Sequence, residues 1–155
     1  MAKKKKSSPN DICKNKKAHF NYSIEDTFEA GIVLQGTEVK AIREGKAIIN
    51  DSYAVFTQGE LYLLNTHISE FTHGNRFNHE PTRSRKLLLH KKELQKLLQR
   101  KERENISIIP LKLYWKHGNV KCLIGVGIGK KNVDKRQTIK ERDWKRSQHR
   151  ILRNK

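Results

Sequence analysis

The clearest pattern along the chain is an apolar side chain at every second position from Val120 to Ile128. A period of two is typical of a β-strand with one buried face, and it places Lys121 on the opposite face. A second apolar run over residues 106–116 precedes it, and His117-Gly118 between the two is a turn signal. The pattern therefore predicts two long antiparallel strands. The buried face of the second would carry Val120, Cys122, Ile124, Val126 and Ile128.

Further strands are predicted nearer the start of the chain. Phe20, Tyr22 and Ile24 alternate with polar residues, and residues 27–35 form a predicted strand with an internal glycine. Residues 52–57 and 60–66 form a predicted hairpin, because the Gln58-Gly59 pair between them is a short turn signal.

Two segments have helical spacing instead. Residues 38–44 form a predicted short helix, with Thr37 as the expected N-cap and Gly45 as the residue that follows the helix. Residues 90–104 carry leucines on one face and lysines and arginines on the other. Residues 70–86 are polar, and we expect them to form a long loop.

About six antiparallel strands and two short helices in about 110 residues predict a mainly β fold, a small closed antiparallel OB-like β-barrel. Barrels of this size often bind nucleic acid, although fold class alone supports function only weakly.

The charge distribution divides the 155-residue chain into three parts. Residues 1–17 hold seven basic residues and one acidic residue, and residues 130–155 hold eleven basic and three acidic residues. Residues 18–129, with sixteen basic and twelve acidic residues, carry only a small part of the net charge of +18. We therefore expect a basic, mostly disordered N-terminal arm, a folded domain and a basic tail that is disordered when free. Such arms indicate a polyanionic partner, with RNA or DNA as the first candidate.

Several classes of protein are excluded by the composition. No stretch of 18 apolar residues is present, and the basic N-terminus is not followed by the apolar segment of a signal peptide. Two distant cysteines predict neither a disulfide framework nor a zinc site, which favours a reducing, cytoplasmic location. No metal or cofactor is expected. The seven histidines suggest a ribonuclease as an alternative, but they form no recognisable catalytic pair.

Candidate nucleic-acid contacts follow from local charge. The predicted loop before residue 87 contains a dense basic cluster, Arg76, Arg83, Arg85 and Lys86, whose guanidinium groups suit phosphates and bases. Lys121 faces away from an apolar row, where a phosphate contact belongs. In the tail, Trp144 and Ile151 are seven residues apart and would share one side of a helix, with Leu152 nearby.

Several longer runs carry a family resemblance. They are Asn15-Lys16-Lys17-Ala18, residues 28–34 with 36–40, Asp51-Ser52-Tyr53, and the stretch from Asn75 to His90. The tail adds Gly129-Lys130-Lys131, Asp134-Lys135-Arg136 and Ile139-Lys140-Glu141-Arg142. Together they resemble the SsrA-binding protein family, or small protein B, of bacterial trans-translation, over about residues 12–152.

The resemblance implies an OB-like barrel that binds the tRNA-like part of transfer-messenger RNA and accompanies it to stalled ribosomes. The tail would become a helix in the mRNA channel and decoding region of the small subunit. The implied RNA-binding positions are Asn15, Glu29, Leu88 and Lys121, with Lys17 in the same run as Asn15. The implied tail positions are Gly129, Lys130, Lys131, Asp134, Lys135, Arg136, Ile151 and Leu152, to which we add Trp144.

The chain departs from the family pattern at two places. Members commonly have Ala-Arg-His before the first aromatic strand, where this chain has Ala18-His19-Phe20. Many members place a histidine that can stack on a decoding-centre base where this chain has Val133. Stacking at that position is therefore not expected.

Alternatives remain open for single residues and for the function. Glu29 could accept hydrogen bonds from RNA amino or hydroxyl groups or be an ordinary solvated carboxylate, and Leu88 could contact an unstacked base or belong to the core. The main hypothesis is a non-enzymatic RNA-binding adaptor, monomeric when free, for transfer-messenger RNA and the stalled ribosome. The alternative is a structural ribosomal or general RNA-binding protein with basic extensions.

Overall fold

The computed structural model describes residues 9–71 and 78–153, except for the side chains of residues 132–134 and 152–153. Nine strands and four helices follow one another in this part of the chain. Their order is β1 (Asp11–Lys14), α1 (Ala18–Asn21), β2 (Tyr22–Ile32), α2 (Gly36–Arg43), β3 (Ala47–Ile48), β4 (Tyr53–Thr57), β5 (Glu60–Leu64), β6 (His67–Ile68), β7 (Arg85–Leu88), α3 (Lys91–Arg103), β8 (Ser107–Lys116), β9 (Asn119–Gly129) and α4 (Asn132–Arg153).

Six strands pair in a ring. The antiparallel pairings run β8–β4–β5–β7–β2–β9, and β9 pairs with β8 again. The N-terminal strand β1 extends this sheet by pairing with β8, and β3 pairs with β6 in a separate two-stranded sheet. The fold is thus mainly β with a few short helices, as expected.

Both predicted hairpin turns are confirmed. Gln58 and Gly59 have φ angles of 52° and 77°, and His117 and Gly118 have φ angles of 51° and 75°. Two consecutive left-handed residues suit the right-handed twist of the strands they join. The register follows from these turns, so that Lys116 faces Asn119 in the second hairpin.

The core is formed by the inward face of the ring. Residues at alternate strand positions, such as Leu61 and Leu63 or Cys122 and Ile124, have no exposed surface. The α3 helix adds Leu97, which is 1% exposed. The predicted alternation of residues 119–128 is therefore confirmed as far as Val126.

Ile128 is an exception to the predicted buried row, because 48% of its surface is exposed. Ser107, the first residue of β8, pairs with Gly127. Ile128 has therefore passed the end of β8 and has a strand partner on one side only, Ser23 of β2.

The start of the chain also differs from the predictions. The expected disordered arm includes residues 11–14, which instead form β1 and pair with β8; residues 1–8 lie outside the described part. Phe20 lies in α1, not in a strand, and β2 runs from Tyr22 to Ile32 with a register shift against β9 between Ile24 and Asp26. Three long-range contacts favour this arrangement, since Asn15 and Trp115 donate backbone hydrogen bonds that join the segment to β8 and Lys130 donates one to Asn21.

The predicted helix caps have different outcomes. Gly45 follows α2 with a φ of 75°, as expected for the residue after a helix. The prediction that Thr37 is the N-cap is wrong, because that position belongs to Gln35. The Thr37 hydroxyl instead lies 2.9 Å from Nδ1 of the buried His79. This contact holds the segment before β7 against α2.

Candidate RNA-binding surface

Leu88, Gly31 and Lys121 lie side by side on three neighbouring strands. Gly31 of β2 pairs with Leu88 of β7 on one side and with Lys121 of β9 on the other. Leu87 is buried in the core, whereas Leu88 is 51% exposed. The question left open by the sequence is thereby decided, since Leu88 lies on the outer face. An apolar and a cationic side chain therefore share one outward surface.

Gly31 leaves room between these two side chains. A Cβ atom at this position would lie 3.3 Å from Cβ of Leu88 and 3.7 Å from Nζ of Lys121. The same region borders an open cavity of about 400 Å³, whose wall also includes Trp115 and Asn119. Apolar and aromatic surface beside a cation is an arrangement that suits an unstacked base and its phosphate.

Glu29 stands two positions before Gly31 on β2, so both residues belong to the outward face. The Tyr114 hydroxyl donates a hydrogen bond to one oxygen of its carboxylate, and the Lys116 ammonium lies 3.0 and 3.2 Å from the two oxygens. These hydrogen bonds and the charges of Lys116 and Lys121 lower the pKa of Glu29 from its usual value. The group is therefore a charged acceptor at neutral pH.

Tyr114 and Lys116 are not among the predicted site residues, although the sequence contains a signal for them. The predicted two-residue turn at positions 117 and 118 requires residue 116 to face 119 and residue 114 to face 121. The structure has this register, with Tyr114 opposite Lys121. The neighbours of Lys121 could therefore have been derived from the turn alone.

Asn15 and Lys17 line a different cavity, of about 240 Å³. Asn15 is 8% exposed; its side-chain amide donates to the Pro110 carbonyl at 3.0 Å, and its side-chain oxygen accepts from the Lys17 backbone N–H at 3.2 Å. The Lys17 side chain stays exposed, with Nζ 3.8 Å from Asp51. Two of the runs that carry the family resemblance therefore meet at this cavity, and Asn15 has a clear structural role there.

The basic residues just before β7 and at its start are neutralised from within the fold. The predicted loop over residues 70–86 extends too far, because Arg85 and Lys86 already belong to β7. Arg85 has no exposed surface, and its Nε donates to the Glu38 carboxylate of α2. Its other nitrogens donate to the backbone carbonyls of Thr66, Arg83 and Pro81 at 2.7, 2.9 and 3.1 Å. The Arg83 guanidinium donates to the second Glu38 oxygen at 2.5 Å. The prediction that Arg85 contacts RNA is therefore wrong, because a fully buried guanidinium that is already paired cannot reach a phosphate.

Arg83 and Lys86 of the predicted basic cluster are partly exposed, in contrast to Arg85. The Arg83 side chain is 28% exposed, and the Lys86 side chain is 39% exposed with Nζ 3.5 Å from Glu60. Both are accessible, so their RNA contacts stay predictions. Arg76 lies outside the described residues.

Glu38 is a buried residue that the sequence analysis missed. Burial by itself would raise the pKa of its carboxyl, but hydrogen bonds from the Gln35 backbone N–H, Arg83 and Arg85 outweigh burial and lower it. The two arginines are 45 and 47 positions away along the chain. A local pattern of charges therefore could not reveal this pairing.

Residues 132–153 form helix α4 in the structure. Disorder in the free protein and a helix on the ribosome are the expectations from the sequence, and this change of state stays a prediction. The segment contains no glycine or proline and is rich in Lys and Arg, which lose little side-chain freedom in a helix. Its start is attached to the folded domain. The Phe20 ring of α1 has Lys135 Nζ 5.9 Å and the Arg142 guanidinium carbon 5.8 Å from its centroid.

The predicted tail residues lie along this helix and just before it. Gly129 ends β9, and Lys130 donates its backbone N–H to Asn21 and its Nζ to the Thr138 hydroxyl at 3.3 Å. The exposed side chains in this region include Lys131, Arg136, Trp144 and Ile151, the last two being 61% and 60% exposed. Asp134 and Leu152 belong to α4, but their side chains lie outside the description. An exposed Trp and Ile on one helix leave apolar surface for a partner.

In residues 9–71 and 78–153 no three histidine, cysteine or acidic side chains are grouped so that they could hold a metal ion. In the same part of the chain no helix is long and apolar enough to cross a membrane.

Comparisons with known proteins agree over almost the whole chain. The chain is 58% identical over 146 residues to the SsrA-binding protein of Staphylococcus epidermidis, with 94% of each chain covered. It is 56% identical over 144 residues to the SsrA-binding protein of Halalkalibacterium halodurans, with 93% of this chain and 94% of the other covered. For the SsrA-binding protein of Staphylococcus carnosus the identity is 54% over 154 residues, with 99% of each covered.

A solved structure described as "tmRNA-SmpB: a journey to the center of the bacterial ribosome" contains a similar chain. The two match with a TM-score of 0.64 and 44% identity, over 81% of this chain and 87% of the other. The sequence model of the SmpB protein family matches residues 12–154. The chain therefore belongs to the SmpB family.

Proposed function

We propose that this protein binds the tRNA-like part of transfer-messenger RNA and accompanies it to stalled ribosomes, where it acts in ribosome rescue and nascent-chain tagging. Membership of the SmpB family and relatives named SsrA-binding protein support this function. The observation that carries it is the outward face formed by β7, β2 and β9, on which Leu88, Glu29 and Lys121 come together.

The three side chains divide the recognition chemistry. Lys121 supplies a phosphate contact, which strengthens binding to any RNA and depends on salt. The Glu29 carboxylate accepts hydrogen bonds from base amino groups or 2′-hydroxyls and so discriminates between RNAs. The exposed Leu88 packs on an unstacked base beside the 400 Å³ cavity. Arg83 and Lys86 add accessible cations near this group, and Lys17 adds one at the separate 240 Å³ cavity.

The ring of strands is, in this proposal, an OB-like barrel, and the protein is a non-enzymatic adaptor that works as a monomer in the bacterial cytoplasm. Helix α4 is its ribosome-binding element, in the mRNA channel and decoding region. Eleven basic residues over positions 130–155 suit an RNA-lined channel, and the exposed Trp144 and Ile151 can be buried there.

RNA sequencing of the complex purified at high salt tests the function directly. A single small structured RNA, transfer-messenger RNA, is the expected result. Ribosomal RNA or a mixture of RNAs would favour the alternative of a structural or general RNA-binding protein.

Two point variants test the division of chemistry. Lys121→Ala should weaken binding and lower the slope of log K against log salt by about 0.7–0.9. Glu29→Ala should leave the slope nearly unchanged and reduce the preference for the tRNA-like RNA over duplex RNA. Lys96→Ala on the exposed face of α3 is a matched control that should change neither. Identical behaviour of the Lys121 and Glu29 variants would contradict the proposed roles.

Deletion of residues 132–155 tests the separate role of the tail. Affinity for the tRNA-like domain should stay within roughly tenfold, since mostly non-specific charge is lost, whereas tagging on stalled ribosomes should stop. Replacement of Asp134-Lys135-Arg136 by three alanines should also keep RNA binding and lose tagging. Val133→Ala should matter much less. Normal tagging by the triple variant would refute the role of the tail.

A further inference from the structure

The Glu29 carboxylate lies among cations on the outward face, which is unusual for a surface that binds a polyanion. Glu29 is surrounded by Lys116 of β8 and Lys121 of β9, and Lys112 lies farther along β8, where its ammonium is 3.5 Å from Asp11 of β1. The Lys116 ammonium lies near both oxygens of this carboxylate, and a neutral donor on the same strand contacts one of them as well.

Tyr114 is that donor, and its own position is determined from two sides. Its backbone pairs with Lys121 in β9 and with Asp11 in β1. The Lys112 ammonium lies 5.1 Å from the centroid of its ring. The phenol is therefore held in the middle of a three-stranded stretch, and its hydroxyl reaches Glu29 across β9.

The acceptor capacity of Glu29 is only partly used by these contacts. A carboxylate has about four lone-pair sites. The Tyr114 hydroxyl occupies one, and the Lys116 ammonium lies near both oxygens at 3.0 and 3.2 Å. With 39% of the Glu29 side chain exposed, lone pairs remain that face solvent in a fixed direction.

We propose that Tyr114 is a positioning residue for RNA discrimination, whose hydroxyl orients the Glu29 carboxylate so that its remaining lone pairs accept hydrogen bonds from RNA amino or 2′-hydroxyl groups. Lys116 has the complementary task of keeping this carboxylate charged next to phosphates. The inference rests on the proposed function, because it assigns a role inside the proposed RNA site. It adds a residue that touches Glu29 and need not touch RNA.

The pKa and the orientation of Glu29 both depend on the Tyr114 hydroxyl. Hydrogen bonds from Tyr114 and Lys116 contribute to the lowered pKa of Glu29, and Lys121 adds a favourable charge. Loss of the phenol hydroxyl removes one of these influences and frees the carboxylate to rotate. The pKa of Glu29 should then rise toward its ordinary value, and its hydrogen bonds to RNA should weaken together.

Tyr114→Phe is the test, with an in vitro transcript of the tRNA-like domain and a duplex RNA of equal length as probes. The ratio of the variant's affinities for the tRNA-like RNA and for the duplex RNA should fall roughly tenfold, the size expected for one charge-assisted hydrogen bond. Its salt slope should stay unchanged, since no phosphate contact is lost. Tyr62→Phe in β5 is the matched control, because the Tyr62 hydroxyl makes no hydrogen bond within the described residues.

A titration of Glu29 by carbon NMR measures a quantity that would not change if Tyr114 had a purely structural role. The pKa of Glu29 should rise in Tyr114→Phe and stay unchanged in Tyr62→Phe, in protein without RNA.

The double variant Tyr114→Phe, Glu29→Ala distinguishes a failure of the Tyr114 inference from a failure of the proposed function. If Tyr114 acts through Glu29, the double variant should be no worse than Glu29→Ala alone. If Glu29→Ala itself leaves the preference intact, the proposed role of Glu29 fails, and the Tyr114 inference fails with it. If Glu29→Ala lowers the preference but Tyr114→Phe does not, or if the two losses add, the positioning role of Tyr114 is overturned and the proposed function stands.

Discussion

Replacement of Glu38 by glutamine should destabilise the protein more than any surface charge change. Glu38 has no exposed surface and accepts hydrogen bonds from Arg83, from the fully buried Arg85 and from the Gln35 backbone N–H at 2.8 Å. Glutamine keeps the shape of the side chain but removes its charge. Arg85 would then be a buried cation that retains only carbonyl partners.

The expected loss is about 3–5 kcal/mol of the free energy of unfolding, the usual cost of removing one partner of a buried ion pair. The three carbonyls that still accept from Arg85 favour the lower end of that range. Since the total free energy of unfolding of a domain is only about 5–15 kcal/mol, the variant should unfold at a clearly lower urea concentration. Urea denaturation followed by circular dichroism and tryptophan fluorescence measures the difference.

Glu60→Gln is the matched control, because Glu60 forms an exposed pair with Lys86 at 3.5 Å. Its change should be within about 1 kcal/mol, as for other surface pairs. If Glu38→Gln also stays within that margin, the buried cluster does not hold the segment before β7 against α2, and the reasoning is refuted.

The pH dependence of stability gives a second measurement of the same cluster. The pKa of Glu38 is lowered in the folded state, so protonation favours the unfolded state. Its contribution is fully present above the ordinary carboxyl pKa of about 4.3 and is lost as the pH falls below it. The stability of the wild type should therefore decrease more steeply below about pH 5 than that of Glu38→Gln.

Three further variants or reagents test other parts of the fold. Gly127→Ala would place a Cβ atom 2.1 Å from a β2 backbone carbonyl oxygen, and urea denaturation should show a loss of about 3 kcal/mol or more in the free energy of unfolding. At Gly36 a Cβ atom would meet nothing within 4 Å, so Gly36→Ala should leave the free energy of unfolding nearly unchanged. Phe20→Ala removes two cation–π contacts, each worth about 0.5–1 kcal/mol, and should lower amide protection in α4 without changing that of β9. Cys13, with a pKa raised to about 11 by burial, and the fully buried Cys122 should react with a thiol reagent at pH 8 only after unfolding; rapid labelling of the native protein would contradict this.

Strands and turns with a local cause could be predicted from the sequence. The alternation of residues 119–128 and the turn at His117-Gly118 determine the β8–β9 hairpin, because period and left-handed turn residues act over a few positions. The short strands β3 and β6 have two residues each and no pattern long enough to detect. The strand β1 depends on pairing with β8, about a hundred positions away, so composition alone suggested disorder.

The candidate site was predictable to a similar extent. Outward positions such as Lys121 follow from strand period, and Leu88 was identified by family resemblance although its exposure required the structure. The prediction that Arg85 contacts RNA is wrong because its partner is distant along the chain. A dense basic run predicts a solvent-facing patch only when no distant carboxylate neutralises it, and Glu38 does so from α2.

Strand β9 links the two proposed binding elements and fixes the distance between them. Lys121 lies on the RNA face, and Gly129 ends the same strand, where Lys130 is anchored to Asn21 before α4 begins. Eight strand positions span about 26 Å at the usual rise of 3.2–3.4 Å per residue. Since β9 is paired with β2 on one side and β8 on the other over most of this length, it cannot bend freely. An RNA held at Lys121 and a surface that binds α4 are therefore kept apart by a rigid spacer, so changes in α4 can alter its own contacts without disturbing the RNA face.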